Sequence, residues 1–423
     1  MERVSLAGPG PADPAAAEDR PDAVRLLIVM PNDPERMRIG GIASFVRGFV
    51  KFAPPDFDLA FLGVTAQGPL WQWRWTEFEG RALRFMPIAH GQPGVRSRVP
   101  VALRFAGSML LHRGALRLPG WIASFHRPGT EIAMRDFAMP MWRVVHLGVE
   151  DLRTQGSESR WRRLSGLLES LERRAFGRMD RIYVVNERVA EEYRRRFGEV
   201  AQRIHFLPNW ADPTIFHAID PVERGALRGS VAADIGQQVD GPLLLYAGRL
   251  EGQKDPLLLA EAFAAFAARR SDARLLVAGE GSLQEAVRAR LRAKGVDGRV
   301  HFLGTVPRLR LAQLMQAADA LLITSAFETG PTVGLEALAC GLPVITTPVG
   351  QVARVVADGG AGITTTDRRP TSLADGMAWV ADQPHNDLRA AAVAAAEPYL
   401  ADRVLEGLYA YNRSLAQRRG TAA

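Results

Sequence analysis

Among its 423 residues the chain holds a single cysteine, Cys340. One thiol excludes an internal disulfide framework and suits a reducing cytoplasm. Its setting among small residues reads as a buried bystander. No apolar run reaches the ~18 residues that a bilayer-spanning helix needs. Residues 1–22 are rich in Pro, Ala and acidic side chains, with neither a basic start nor an apolar core. They read as a disordered tail rather than a signal peptide. A recognition helix, zinc-ligand spacing and an aromatic RNA-binding motif are all missing, so nucleic acid is not expected as a partner. No metal site is expected either: outside His126 and His146, the histidines lack metal-ligand spacing.

What is present is an α/β composition. Hydrophobic residues make up 47% of the chain, enough for two or three domains with large cores. The net charge of +7 favours anionic partners such as phosphates or an acidic membrane face.

The most informative stretch is Ser325–Val349. Ala320–Thr324 is an apolar, β-prone run. Glu328–Pro331 breaks it with Gly330 and Pro331, and Pro fits the first position of a helix. Thr332–Cys340 then reads as a helix that Gly341 ends, and Pro343–Thr347 resumes a buried strand. A helix that starts just past a strand end offers free N–H groups and the positive end of its dipole to an anion. Glu328 and Glu336 flank that point, seven residues intervening. Carboxylates beside a phosphate site need hydrogen-bond donors, and sugar hydroxyls are the obvious ones. The stretch therefore reads as a site for a sugar that carries phosphate.

The pattern S-x-x-E-x7-E-A-x-A-x-G-x-P-V-I resembles the retaining glycosyltransferases of family four. The resemblance implies the GT-B architecture: two Rossmann-like α/β domains facing each other across a deep cleft. It also implies that Glu336 grips the donor's ribose and that Glu328 lies near the transferred sugar. The plainer reading is a surface loop and helix with two solvated glutamates.

Companion motifs fall in order around this stretch. Ala23–Pro31 is a first strand, followed by Gly40-Gly41 and a helix over Ile42–Val50. The loop is not a G-x-G-x-x-G fingerprint, and no Walker lysine follows. By resemblance, Gly40 and Gly41 face the donor phosphates and sugar. A turn that needs glycine conformations is the alternative. Asp56-Phe57-Asp58 looks like a metal-binding D-x-D but precedes a strand instead of ending one, and it is discounted. Trp71, Trp73 and Trp75 alternate and would share one face if extended. Basic residues outnumber acidic ones from there to Trp121, and Val99–Leu111 is apolar with scattered arginines. Two readings stay open: a helix lying on a membrane interface or holding a lipid-linked acceptor, or a helix packed on the sheet with solvated arginines.

Gly120–His126 and Trp142–Gly148 are short strands, each with a histidine near its C-terminal end, where ligands gather in open α/β sheets. His146 best matches the family histidine that faces the donor sugar; His126 would lie on the cleft rim. Either could instead be structural. Ser157–Phe176 reads as a charged helix. After Ile204–Pro208 the family usually has P-N-G-V-D, whereas this chain has Trp210 in place of the glycine, which puts the local turn in question.

Pro242–Ala247 is a buried parallel-type strand. Gly248, Arg249 and Lys254 after it match the family's pyrophosphate clamp, two cations suited to the charge on a leaving diphosphate. Gly279 opens a turn after the strand Ala273–Gly279. Val306, Pro307 and Arg308 lie where the family backbone recognises the nucleobase. Thr332 and Val333 would add backbone N–H groups, with Gly330 beside them.

The expected domains are 23–217 (acceptor half), a linker 218–240 with room for one helix, 241–390 (donor half), and 391–423 as helices crossing back to the first domain. The expected activity is transfer of a sugar from a nucleoside diphosphate sugar to a glycan, lipid-linked or small-molecule hydroxyl, in the cytoplasm or at its membrane face. The donor serves as co-substrate, with no cofactor. Two alternatives are a nucleotide-sugar epimerase of the same architecture and a non-catalytic nucleotide-sugar-binding protein.

Overall fold

A computed structural model describes residues 22–37, 41–91, 99–116, 118–127, 130, 139–146, 170, 172–328 and 332–420. The chain divides into two units, Met1–Leu207 with Leu405–Ala423, and Pro208–Val404.

The first unit is built on an eight-stranded sheet in the order β3-β4-β2-β1-β5-β6-β7-β8. Its strands are β1 (Val24–Val29), β2 (Phe57–Thr65), β3 (Arg74–Phe78), β4 (Arg81–His90), β5 (Trp121–Phe125), β6 (Met141–Val145), β7 (Arg181–Val184) and β8 (Ile204–Phe206). Neighbours run parallel except β3, which returns antiparallel to β4. Parallel strands covered on both faces must be apolar on both, which is why β1 reads VRLLIV with nearly every residue buried. Helices α1 (Gly41–Lys51), α2 (Val101–Leu111) and α3 (Glu187–Arg196) accompany the sheet. Asn186 starts α3 by accepting the Val189 N–H at 3.1 Å.

One reading changes here. The tryptophan run is not one extended segment, because Trp71 has φ +61° and β3 begins only at Arg74. The β3–β4 hairpin turns on Glu79 and Gly80, both with positive φ, which matches the right-handed twist of the strands. Asp56 and Asp58 each hold a guanidinium, from Arg413 and Arg84 respectively. Most of the helix expected over Ser157–Phe176 lies outside the described residues.

The second unit carries a parallel six-stranded sheet, β11-β10-β9-β12-β13-β14. Its strands are β9 (Leu243–Ala247), β10 (Arg274–Ala278), β11 (Val300–Gly304), β12 (Ala320–Ile323), β13 (Val344–Thr346) and β14 (Gly362–Thr364). Helices α4 (Pro221–Asp234), α5 (Pro256–Ala267), α6 (Gln284–Ala293), α7 (Arg308–Ala317), α8 (Thr332–Ala339), α9 (Gly350–Gly359), α10 (Pro370–Asp382) and α11 (His385–Ala396) connect and flank it. The strand order reverses between β9 and β12, the doubly wound pattern whose switch point lies at those two C-terminal ends.

The stretch read as a linker is a structured part of this unit. Asp220 caps α4 by accepting the Val222 and Glu223 N–H groups, and Val231 is fully buried. Arg224 and Arg228 of α4 both bind the buried Asp319 carboxylate, which also accepts the Leu243 N–H at 2.8 Å. The unit boundary accordingly falls at Pro208 instead of 218. The return to the first unit falls at Leu405, inside α12 (Ala401–Gly420), instead of at 391.

Candidate active site

The loops that follow β9 and β12 meet at the switch point of the second sheet. After β9, Gly248, Arg249 and Leu250 run beside the loop after β10: the Gly248 N–H donates to Ala278 O, and the Leu250 N–H to Glu280 O. Gly279 has φ +139°, and a Cβ there would fall 2.0 Å from Gly248 O. Glycine is therefore required by both backbone conformation and space. The Gly279 N–H in turn donates to Gly304 O at 2.7 Å, tying in the loop after β11.

Lys254 ends a short 3-10 turn, Gly252–Lys254, ahead of α5. Asp255 follows in the left-handed region, φ +45°, and caps α5 through the Leu258 N–H. Such a conformation is costly for a non-glycine residue and persists only where its surroundings fix it. Here Thr324 Oγ1, just past β12, donates to the carbonyls of Lys254 and Asp255. The Lys254 ammonium forms an ion pair with Glu328, and Ser325 Oγ donates to the same Glu328 oxygen at 2.9 Å. Gln253 bridges the loops. Its carbonyl accepts the Ala326 N–H, its amide nitrogen donates to Phe327 O, and its Oε1 accepts from Arg249 at 3.5 Å. Arg249, Lys254 and Glu328 are thus brought together across the switch point.

Glu336 lies on α8, only 9% exposed. Burial pushes its carboxyl up to about 7, against the pull of Arg308. Arg308 opens α7, with Nη2 3.6 Å from Glu336 and Nη1 3.8 Å from the buried Asp212. Glu336 is therefore linked to Arg308 and Asp212, and not to the Lys254–Glu328 pair. Thr332 and Val333 form the first turn of α8 and are half-buried. A Cβ on Gly334 would lie 2.6 Å from Val352, so α8 packs close against α9. Val306 is half-buried and packs against the core cluster that includes Ala211 and Phe216. Gly330 and Gly40 lie outside the described residues, and Gly41 opens α1.

In the first unit His126 follows β5 and His146 follows β6, at the C-terminal strand ends. Phe45 of α1 packs on both rings, with centroids 5.6 and 5.0 Å away. His126 is buried and neither ring nitrogen has a hydrogen-bond partner among the described residues. Desolvation lowers it to about 3. Burial, then His126, Arg127 and Arg143, push His146 well below the usual imidazole range. Both shifts disfavour the protonated imidazole.

Trp210 does not distort its turn. The positive-φ residues other than glycine among those described are Trp71, Glu79 and Asp255. Trp210 is buried, and Ala211 beside it pairs with the chain at Tyr399 and Ala401. Gln253 and Phe45 were not singled out from the sequence. Arg308 was placed with Val306 and Pro307 near the nucleobase, but its side-chain link to Glu336 and Asp212 was not foreseen.

The two units and their sheets match solved glycosyltransferases along nearly the whole chain. Sucrose-phosphate synthase from Thermosynechococcus elongatus gives a TM-score of 0.70 at 18% identity, over 94% of this chain and 100% of that one. Anabaena HepE in complex with UDP-glucose gives 0.65 at 15%, over 94% and 99%. The fold is the GT-B architecture.

Residues 231–397 match the family model described as glycosyl transferases group 1. The D-inositol 3-phosphate glycosyltransferase of Acidothermus cellulolyticus is 27% identical over 354 residues, 78% of this chain and 76% of its own length. Within residues 231–397 the chain is similar to the group 1 glycosyltransferases, and the curated relatives it resembles are named as glycosyltransferases.

Proposed function

We propose that the protein moves a glycosyl unit from a nucleoside diphosphate sugar to an acceptor hydroxyl, with retention at the anomeric carbon and without a metal ion. The observation that carries this reading is the cluster of Arg249, Lys254 and Glu328 at the switch point between β9 and β12. The crevice beyond the strand ends of an open α/β sheet is where ligands bind. Two cations there oppose the charge that grows on a departing diphosphate. Arg249 supplies directed hydrogen bonds and Lys254 a point charge. The N–H groups of Thr332 and Val333 add the positive end of α8.

Glu328 shares Lys254 and Ser325, so its carboxylate is fixed in place with further acceptor capacity for a sugar hydroxyl. Glu336 holds the ribose, and Val306 lies by the base. No side chain is assigned as nucleophile; the leaving phosphate assists acceptor deprotonation. Neighbours of this fold bind UDP-glucose or UDP, which supports a uridine donor. The acceptor is a glycan, lipid-linked or small-molecule hydroxyl. The lone, buried Cys340 suits a reducing cytoplasm.

Lys254→Ala should lower turnover roughly 100- to 1000-fold, the scale of one lost transition-state donor, with an unchanged circular dichroism spectrum. Near-normal turnover would remove the clamp from the mechanism. The assay starts from a thermal-shift screen of nucleotide sugars and follows hits with product analysis. An altered sugar without glycosylated acceptor would mean epimerisation; donor binding without turnover on any acceptor would mean a sensor.

A further inference from the structure

Two consecutive hydroxyls follow β12, and between them they reach both partners of the Lys254–Glu328 pair. Thr324 Oγ1 lies 2.8 Å from Lys254 O and 3.1 Å from Asp255 O. Ser325 Oγ donates to Glu328 at 2.9 Å. The Lys254 side of this arrangement is the demanding one. Asp255 holds φ +45° without being glycine, a backbone that persists only where neighbours fix it. Lys254 ends a 3-10 turn and Asp255 caps α5, so the direction in which the lysine leaves the chain depends on that conformation.

Three groups hold the turn. The Asp255 carboxylate accepts the Leu258 N–H at 3.2 Å, which secures the helix side. Arg368, past β14, forms an ion pair with the same carboxylate, but both side chains are partly open to water and such a pair holds little. Thr324 is 1% exposed, and its hydroxyl grips the carbonyls on both sides of the strained α-carbon. Its own place is fixed. The flanking carbonyls of Ile323 and Ser325 accept the N–H and the hydroxyl of Thr347, just past β13, at 3.0 and 2.9 Å. A β-branched side chain on so fixed a backbone has few rotamers. The hydroxyl therefore anchors the turn and does not follow it.

We propose that Thr324 is a positioning residue for the transfer. It fixes the Lys254–Asp255 turn and so holds the Lys254 ammonium at the diphosphate site, without touching the donor. This rests on the assignment of Lys254 to the diphosphate made above. Placement matters at this scale, because a shift of about 1 Å in a catalytic group can cost about 100-fold in rate. The plainer role for Thr324 is to stabilise the second unit and nothing more. The two roles differ in what depends on Lys254. A purely structural hydroxyl lowers stability and leaves the phosphate contacts of the folded chain as they were. A positioning hydroxyl loses its effect on binding once the lysine is gone.

The test is a double-variant cycle on UDP affinity, measured by calorimetry on the full chain. Lys254→Ala should weaken UDP binding about tenfold or more, the scale of a lost charged contact. Thr324→Val keeps the shape and removes the donor, and should weaken UDP binding roughly three- to tenfold. Thr324→Ser should restore most of that affinity. UMP, which lacks the terminal phosphate, should bind the valine variant almost as well as the wild type. The combined variant should bind UDP no more weakly than Lys254→Ala. Melting temperature is the folding control. Thr324→Cys, similar in size with only a weak donor, carries the same cycle if the valine variant does not fold. Wild-type UDP affinity in the folded Thr324 variant, or a loss that adds in full to that of Lys254→Ala, would overturn the proposal. So would an equal loss of UMP, which would move the effect away from the terminal phosphate. Full UDP affinity in Lys254→Ala, or no UDP binding by the wild type, would instead strike the donor-site reading itself, and the proposal with it.

Discussion

Glu336 is the residue whose chemistry depends most on its surroundings. Its carboxyl is raised from 4.5 to about 7 because burial outweighs the attraction of Arg308. Between those values the folded chain keeps a proton that the unfolded chain has released. The stability this group contributes is therefore full below pH 4.5 and is lost as pH rises through about 7. Ligand binding should run the other way, because an ionised carboxylate is the better acceptor for ribose hydroxyls. UDP affinity measured by calorimetry should tighten several-fold from about pH 6 to about pH 8. Glu336→Gln should show only the dependence that comes from the UDP phosphates, and Arg308→Ala should move the wild-type midpoint upward. Identical pH profiles for wild type and Glu336→Gln would detach this residue from the ribose. The Glu328 and Glu336 spacing was legible in the sequence because both sit in one short motif. The Arg308–Glu336–Asp212 linkage was not, since its three members come from separate elements and only folding brings them together.

At the scale of elements, the meeting of the β9, β10 and β11 loops depends on glycine. Gly279→Ala would force a Cβ into the Gly248 carbonyl while holding a left-handed backbone. It should cost at least about 3 kcal/mol in urea unfolding and weaken nucleotide binding, because the clamp loop after β9 would be displaced. Gly298→Ala, with nothing within 4 Å of the new atom, is the matched control and should stay within about 0.5 kcal/mol. Equal costs for the two would refute the close-approach argument. The same scale shows which elements a sequence displays. Strands β9, β12 and β13 announced themselves as apolar runs, since parallel strands are buried on both faces. The β3–β4 hairpin did not, because β3 alternates exposed and half-buried residues at the sheet edge and its turn uses Glu-Gly. Helix α4 was legible only as a helix within a linker, not as part of the second unit. Its attachment runs through Arg224 and Arg228 to one distant carboxylate, which leaves almost no apolar periodicity to read.

For the whole molecule, the decisive feature is that the first unit is discontinuous in sequence. Its last element is the C-terminal part of α12, which begins in the second unit and ends in the first. Tyr409 Oη donates to Phe49 O at 2.6 Å, Asn412 Oδ1 accepts the indole N–H of fully buried Trp142 at 2.9 Å, and Arg413 holds Asp56 through two hydrogen bonds. The Tyr409 ring also stacks on Phe49, 5.3 Å between centroids. Removing residues 405–423 would strand the Trp142 N–H and uncover Phe49, and each orphaned buried group costs about 1–3 kcal/mol. For a unit of this size the loss should lower one calorimetric transition by about 10 °C or more. The other transition should stay in place and still rise with UDP, because every residue assigned to the diphosphate and ribose lies between Pro208 and Val404. A truncated chain whose two transitions fall together would show that the units do not unfold separately. One whose first transition is unmoved would show that α12 is an appendage there. Only the predicted split, one unit weakened and the nucleotide response intact, fits a chain in which the last helix completes the half that lacks the diphosphate site.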